Sequence, residues 1–189
     1  AAGSIFTGSV HEPIKGTKNP QKMLQTGIPF TKKPVALQFD YKVKMSDREN
    51  RIRATGFSKI TDVPGKDYPA AILLLQKRWE DANGNVYAKR IGTMVTYYYH
   101  STDWKNNVTY EIMYGDITNR PEYKAHMMRL QATESYTVNS KGESVPIHEV
   151  AWGDENDVPT HMYIQFTSSH GGAYIGSPGN TLWVDNVKL

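Results

Sequence analysis

The chain has 189 residues, a formal net charge of +3 and no cysteine. Its length suits one domain with its own core, and the lack of cysteine excludes a disulfide framework and a thiolate metal site. So small a charge, spread evenly along the chain, does not favour nucleic acid as a partner. Twelve tyrosines and four tryptophans outnumber five phenylalanines. Most aromatic side chains therefore carry a polar group that suits half-buried, wet surfaces.

The chain begins Ala1-Ala-Gly-Ser4 without an initiator methionine, which is typical of a processed start. We therefore expect it to be the C-terminal part of a longer protein. The longest apolar run, residues 70–75, is much shorter than the roughly 20 residues of a membrane-spanning helix. The first predicted elements are a strand at residues 4–8 and a helical turn that begins at Asn19-Pro20 and ends before Gly27.

Residues 35–45 carry the clearest strand pattern. Apolar or aromatic side chains occupy every odd position from Val35 to Met45, and charged or amide side chains occupy most even positions. A period of two over eleven residues predicts one packed face and one wet face.

A hairpin follows, in which residues 70–80 and 85–99 flank Asp81-Ala-Asn-Gly84. A two-residue turn at Asn83-Gly84 would create two like-charge pairs across the strands, each unfavourable. A three-residue loop with Gly84 in the left-handed region creates only one, and we favour it. The pairs it predicts are Trp79 with Tyr87, Gln76 with Arg90, and Lys77 with Lys89. This hairpin would place an aromatic pair beside a cationic patch.

Further strands are predicted at residues 104–114, 160–168 and 182–189, and residues 121–130 could form a short helix. Alternation sends Tyr97 and Tyr99 to one face and Tyr98 to the other, and Trp104 is expected in the core. In the strand 160–168, the inward set is Met162, Ile164 and Phe166, and the outward set is His161, Tyr163, Gln165 and Thr167. Many strands with few helical excursions predict an all-β fold, an antiparallel β-sandwich or jelly roll.

Several segments, in order along the chain, resemble the putative carbohydrate metabolism domain family. They are residues 6–8, 27–31 and 34–42, the hairpin at 79–90, and the closing segments 166–176 and 182–187. The resemblance implies a single jelly-roll domain over residues 1–189, similar to a carbohydrate-binding module, in a surface or secreted protein of Bacteroidetes, often after an immunoglobulin-like domain. It gives no catalytic residues. Residues 116–158 depart from the pattern and are interpreted as an insertion.

A sugar site needs an aromatic platform for the apolar ring face and planar polar groups for the hydroxyls. Two sets of side chains could supply one: Trp79, Tyr87 and Arg90 on the hairpin, and His161, Tyr163 and Gln165 on the later strand. If both sets face the same curved surface, they would form one cleft. The alternative is an ordinary wet sheet, where cross-strand aromatic residues and arginine are common.

Asp185 stands in an otherwise apolar closing strand. In many jelly rolls that bind sugars, an aspartate at this place holds a structural Ca²⁺, and Glu12 could be a second ligand. The favoured alternative is that Asp185 accepts hydrogen bonds from the loop 167–181. If a chelator leaves the melting temperature unchanged, the hypothesis of a structural Ca²⁺ is contradicted.

The leading hypothesis is non-catalytic binding of a polysaccharide or oligosaccharide at a bacterial cell surface, outside the cytoplasm. One alternative is a glycoside hydrolase, which needs two facing carboxylates, or a polysaccharide lyase that uses Arg90, Tyr163 and His161. A second is a structural module that positions neighbouring domains. No nucleophile elbow, phosphate-binding loop or zinc motif is present in the sequence.

Overall fold

The computed structural model describes residues 3–11, 18–56, 58–127, 130, 135–154 and 156–189. One 3₁₀ turn, Pro20–Met23, is the helical element of the described residues. The strands are β1 Ser4–Phe6, β2 Gly8–Val10, β3 Leu24–Thr26, β4 Ile28–Pro29, β5 Ala36–Lys44, β6 Arg51–Arg53, β7 Thr61–Val63, β8 Ala70–Glu80, β9 Val86–Tyr97, β10 Thr102–Glu111, β11 Met113–Tyr114, β12 Tyr136–Val138, β13 Ser144–Trp152, β14 His161–Thr167, β15 Ile175–Gly176 and β16 Thr181–Lys188. None of the described residues forms a helix long and apolar enough to span a membrane.

The strands form two main layers, which confirms the predicted β-sandwich. The larger sheet has the order β1-β14-β8-β9-β13-β12, with β4 beside β14 and β11 beside β9. The smaller sheet has the order β10-β5-β16. Two further small sheets, β15-β6-β7 and β2-β3, lie outside these layers.

The core lies between the two layers and is built from the alternating positions of both. Leu37 and Phe39 of β5 are fully buried, and the rings of Phe39 and Phe166 meet edge to face with centroids 5.0 Å apart. The buried residues of this core are Leu37, Phe39, Val43, Ala71, Leu73, Leu75, Ile91, Met94, Tyr98, Ile112, Met162, Ile164 and Phe166. The predicted inward sets of residues 35–45 and 160–168 supply six of them.

The hairpin β8–β9 adopts the three-residue loop. Trp79 pairs with Tyr87 and Gln76 pairs with Arg90. Gly84 has φ of +91°, and the Asp81 amide donates to the Asn85 carbonyl at 3.0 Å. A register shift between Leu75 and Gln76 leaves one extra residue on β9, a bulge beyond which the pairing with β8 moves by one residue.

The structure corrects four expectations. The sheet is mixed, because β13 runs parallel to β9, a pairing that the long connection between the two strands makes possible. Residues 121–127 form turns rather than a helix. Thr167, expected to face outward, is buried, and its hydroxyl is satisfied there by donating to the Ser169 carbonyl at 2.8 Å. Trp104 is 47% exposed because β10 is an edge strand whose register shifts there.

Candidate functional site

Three aromatic side chains form a row across β8, β9 and β13, which we call the hairpin platform: Trp79, Tyr87 and His148. The Trp79 and Tyr87 ring centroids are 5.9 Å apart with an interplanar angle of 23°. The His148 ring follows at 5.7 Å from Tyr87. Trp79 remains 43% exposed. Directly opposed strand positions thus produce a row of neighbouring aromatic rings that is partly accessible to solvent.

The tip of the hairpin is held by the turn that joins β12 and β13. The Asn139 side-chain amide donates to the Gly84 carbonyl at 3.0 Å, and the Ser140 hydroxyl donates to Glu80 at 2.6 Å. A Cβ at Gly84 would lie 2.8 Å from Asn139 Nδ2, so this close approach requires glycine. The platform is therefore fixed before any ligand binds.

Two lysines lie on the same face as the platform, at alternate positions from Trp79 and Tyr87. Lys77 Nζ and Lys89 Nζ lie 2.7 and 3.5 Å from the two carboxylate oxygens of Asp157. The hydrogen bonds from Lys77 and from the backbone amide of Asp154 together lower the pKa of the Asp157 carboxyl to about 2. The predicted cationic patch is present, but one buried carboxylate balances part of its charge.

Arg90 does not join the platform. Its side chain is 2% exposed and lies on the opposite face of the sheet, where its Nε donates to Glu149 Oε1 at 2.5 Å. The Gln76 amide donates to the same oxygen at 2.6 Å, and Trp152 covers the guanidinium with 5.8 Å between Cζ and the ring centroid. Arg90 therefore belongs to a buried polar network.

The side chains predicted on the later strand, His161, Tyr163 and Gln165, also make hydrogen bonds within the protein. The Tyr163 hydroxyl donates to Gln165 Oε1 at 2.9 Å, and burial raises the pKa of Tyr163. His161 Nδ1 lies 2.8 Å from the Thr160 hydroxyl. Burial and the nearby Arg78 cation lower the pKa of His161 to about 4. His161 is thus neutral at physiological pH.

Trp79 and Tyr87 lie on the opposite face of the larger sheet from His161 and Tyr163. His161 pairs with Gln76, and Tyr163 pairs with Leu74, so both share the face of Gln76. Trp79 projects from the other face, because it is an odd number of positions from Gln76 along β8. The expectation of one shared cleft was wrong, and binding by either set stays a prediction.

A cleft of about 310 Å³ lies near the end of β9. Tyr97 and Tyr99 line it, with Glu111, Glu122 and His126. The His126 ring stacks on Tyr97 with centroids 4.7 Å apart. Tyr98 is buried in the core, so the predicted division of these tyrosines is confirmed. The convergence of Glu111 with Glu122 and His126 could not be read from the sequence, because 119–126 approach β9 only in the tertiary structure.

Sequence reasoning missed Asp67, whose side chain is fully buried behind the loop 167–181. Its carboxylate accepts hydrogen bonds from the backbone amides of His170 at 3.1 Å and Ser177 at 2.9 Å. Burial acts to raise the pKa of Asp67, but the hydrogen bonds from His170, Ser169 and Ser177 outweigh it and lower the pKa. The feature of the sequence that could have indicated this role is the position of an aspartate directly before Tyr68-Pro69 and the apolar strand β8.

Asp185 is exposed on the smaller sheet and accepts a hydrogen bond from the Asn186 amide at 2.7 Å. It does not hold the loop 167–181, so that expectation was wrong. Its cross-strand neighbour is Asp40 of β5, which accepts from Asn107 and Asn186. Within the described ranges no group of three or more His, Asp or Glu side chains is arranged to hold a metal. Glu12 lies outside the described residues.

A family model described as "Putative carbohydrate metabolism domain" matches residues 1–189. The chain belongs to this family. The match includes residues 116–158, which supply β12 and β13 to the larger sheet. No curated protein matches the chain.

Two solved structures from Bacteroides are similar to this chain over its whole length. One is a putative glycoside hydrolase from Bacteroides thetaiotaomicron, with 20% identity, a TM-score of 0.59 and 47% of its own chain covered. The other is a putative glycoside hydrolase from Bacteroides vulgatus, with 16% identity, a TM-score of 0.51 and 64% covered. The chain thus spans less than two thirds of either protein. At these identities the likeness shows the fold.

Proposed function

We propose that this domain binds glycans without cleaving them, outside the cell at a bacterial surface, and that the hairpin platform is its binding site. The observation that carries the proposal is the row of Trp79, Tyr87 and His148 rings across three strands. A pyranose ring has an apolar face, and an exposed tryptophan with a parallel neighbouring ring supplies a matching flat surface. The family, whose description concerns carbohydrate metabolism, supports a saccharide ligand.

The platform suits the interior of a polysaccharide chain. It is a surface rather than an enclosed pocket, so a chain can continue past it in both directions. Lys77 and Lys89 lie beside the rings, and each ammonium group has three N–H donors, of which Asp157 engages a part. Hydroxyl groups at the sugar edge would accept the remaining hydrogen bonds.

The location outside the cell and a neighbouring immunoglobulin-like domain belong to the same proposal. The two similar structures come from Bacteroides, as the resemblance in the sequence implied. Both are longer than this chain, which supports a multidomain setting. A detection antibody against the domain on intact and permeabilised cells would test the location.

A glycoside hydrolase is the second candidate, favoured by one observation. Glu111 and Glu122 line the same cleft as Tyr97 and His126, and hydrolases use paired carboxylates. Release of reducing ends from a polysaccharide panel, lost in both Glu111→Gln and Glu122→Gln, would establish it. The lyase alternative has less support, because Arg90 would have to neutralise a uronate while it is paired with Glu149.

Binding is tested by affinity electrophoresis and calorimetry against a broad panel of plant and host polysaccharides. Trp79→Ala should weaken binding by roughly tenfold to a hundredfold, about 1–3 kcal/mol for loss of one stacking residue. Trp104→Ala is the matched control, because Trp104 is similarly exposed on the smaller sheet. If the panel yields no ligand, or if Trp104→Ala alone removes binding, the platform is not the site.

A further inference from the structure

We propose that the open side of the sandwich holds a second glycan site, which accepts an uncharged sugar at a chain end, preferably one with a methyl group in place of the C6 hydroxymethyl. A cavity of about 590 Å³ lies there, nearly twice the volume of the cleft near Tyr97. The inference rests on the proposed function, because it assumes that the domain binds glycans. It concerns a different surface from the hairpin platform.

The cavity lies where the edges of the two layers fail to close. Ile5 of β1 pairs with Phe166 and so faces the interior of the sandwich, yet it is 75% exposed. Leu182 and Val184 of β16 line the opposite wall. An inward-facing aliphatic side chain with this exposure marks a gap between edge strands. The gap is open to solvent on one side.

The part of the lining formed by the described residues is uncharged. These side chains are apolar, hydroxyl-bearing or amide-bearing, and no Lys, Arg, Asp, Glu or His is among them. The cleft near Tyr97, in contrast, is lined by Glu111, Glu122, Lys124 and His126. A uronate or a sulfated sugar placed in the uncharged cavity would lose hydration without gaining a counter-charge. The cavity thus selects a neutral ligand.

The apolar part of the lining favours a methyl group. Ile5, Ile52, Phe166, Leu182 and Val184 all contribute to the walls. A C6 hydroxymethyl placed against them would need hydrogen bonds that aliphatic carbon cannot supply, whereas a methyl would be stabilised by burial. Ser168 and Ser169, at the end of β14, also belong to the lining and carry hydroxyls that can serve the remaining sugar oxygens.

The wall formed by residues 174–181 is built before any ligand arrives. Asp67 fixes it through the Ser177 amide, and the Asn180 side chain bridges Ser46 and the Asp67 carbonyl. Tyr174 is held at φ of +63°, a conformation that costs a tyrosine free energy, by a hydrogen bond from the Ala54 amide at 2.9 Å. A rigid wall lowers the entropic cost of binding.

One buried polar atom in this wall lacks a hydrogen-bond partner among the described residues. Ser177 is 8% exposed, and its Oγ has no partner in the described part of the chain. Unpaired buried hydroxyls are rare in folded proteins. Because this atom is enclosed within the wall itself, it belongs to the packing of the wall and is not a contact for a ligand in the cavity.

The two sites are far apart. Thr167, in the cavity lining, pairs with Ala70 at one end of β8, and Trp79 lies nine residues along the same strand. At 3.3 Å per residue this separation is roughly 30 Å. Substitutions at one site should therefore leave the other intact.

The experiment uses saturation-transfer NMR with matched methyl glycosides that differ at C6: galactose, its 6-deoxy form and its uronate, and the same three of the gluco series. In at least one series the 6-deoxy sugar should bind most tightly, the hexose more weakly, and the uronate at least about tenfold more weakly than the 6-deoxy sugar. Ile5→Asp should remove the signal, and Tyr174→Asn, which tolerates the left-handed backbone, should weaken it about tenfold. Val35→Asp, at a site that is 81% exposed, is the control.

Binding of the 6-deoxy sugar that survives in Trp79→Ala and disappears in Ile5→Asp would support the second site. The proposal is overturned if neither series binds, if the uronates bind as tightly as the 6-deoxy sugars, or if Ile5→Asp binds like Val35→Asp. In each of these cases, polysaccharide retention that depends on Trp79 would still support the proposed function. If no polysaccharide is retained by the native protein, or if retention does not depend on Trp79, the proposed function is overturned separately.

Discussion

Arg90 and Glu149 form an ion pair between the neighbouring parallel strands β9 and β13, with side chains only 2% and 6% exposed. Residues 24–26 pass over this face of the sheet beside its edge strand β12: the Thr26 hydroxyl donates to the Tyr136 carbonyl, and the Arg78 guanidinium donates to the Thr26 carbonyl. The pair therefore lies inside the protein. It connects the segment 116–158 to the central hairpin.

Removing one partner of this pair should destabilise the fold strongly. We expect Glu149→Ala to lower the free energy of unfolding by about 3–5 kcal/mol, because it leaves the Arg90 cation buried without its carboxylate. The double variant Arg90→Met with Glu149→Leu should recover most of that loss. Urea denaturation measures both. A double variant that is no more stable than Glu149→Ala would contradict this account.

The ion pairs of Asp157 with Lys77 and Lys89 should stabilise the folded protein at neutral pH and should cease to do so in acid. The folded pKa of Asp157, about 2, is lower than its usual value of 3.8. Its contribution is therefore fully present above pH 3.8 and is lost as the pH falls towards 2. Asp157→Asn should lower the melting temperature by about 2–4 °C at pH 7, for a loss of about 1 kcal/mol, and the difference should vanish near pH 2.

Asp62→Asn is the control for this prediction, because the ion pair of Asp62 with Arg48 is exposed on both sides. It should leave the melting temperature unchanged at every pH. A constant difference between Asp157→Asn and the native protein from pH 7 to pH 2 would show that charge does not cause the effect.

His161 should make the protein less stable in mild acid. Its folded pKa of about 4 is below the usual 6.5, so the unfolded state binds the proton first. Stability is fully present above pH 6.5 and is lost as the pH falls towards 4. His161→Gln should therefore flatten the dependence of the melting temperature on pH between 6.5 and 4. His100→Gln, on the surface, should leave the slope unchanged.

We expect chelation to leave the melting temperature unchanged. Asp185 and Asp40 face each other across β16 and β5, and Asn186 and Asn107 already donate to Asp40. Asp185→Asn should shift stability by no more than about 0.5 kcal/mol, in the direction of greater stability, because it removes a like-charge pair. A drop of several degrees with chelator, restored by calcium, would establish a structural metal.

Local patterns were enough to predict much of the fold. Alternation in residues 35–45 and in β14 gave the correct inward sets, because side chains on a strand must alternate between two faces. Val35 is the exception: it precedes the first residue of β5 and is exposed. The like-charge argument gave the correct hairpin register and hence the Trp79–Tyr87 pair. These results depend on neighbours within one strand or one turn, where sequence spacing fixes geometry.

Long-range contacts were not accessible in this way. The bulge at Ile91 and the cover over Arg90 depend on segments far away in the chain, and so does the role of Asp67 behind the loop 167–181. Alternation within a strand cannot say which of two faces a second layer will cover. The sequence therefore determined a sandwich with an aromatic hairpin. Only the tertiary structure decided that Arg90 is buried, that Trp79 and Tyr163 face opposite ways, and that the edge between β1 and β16 stays open.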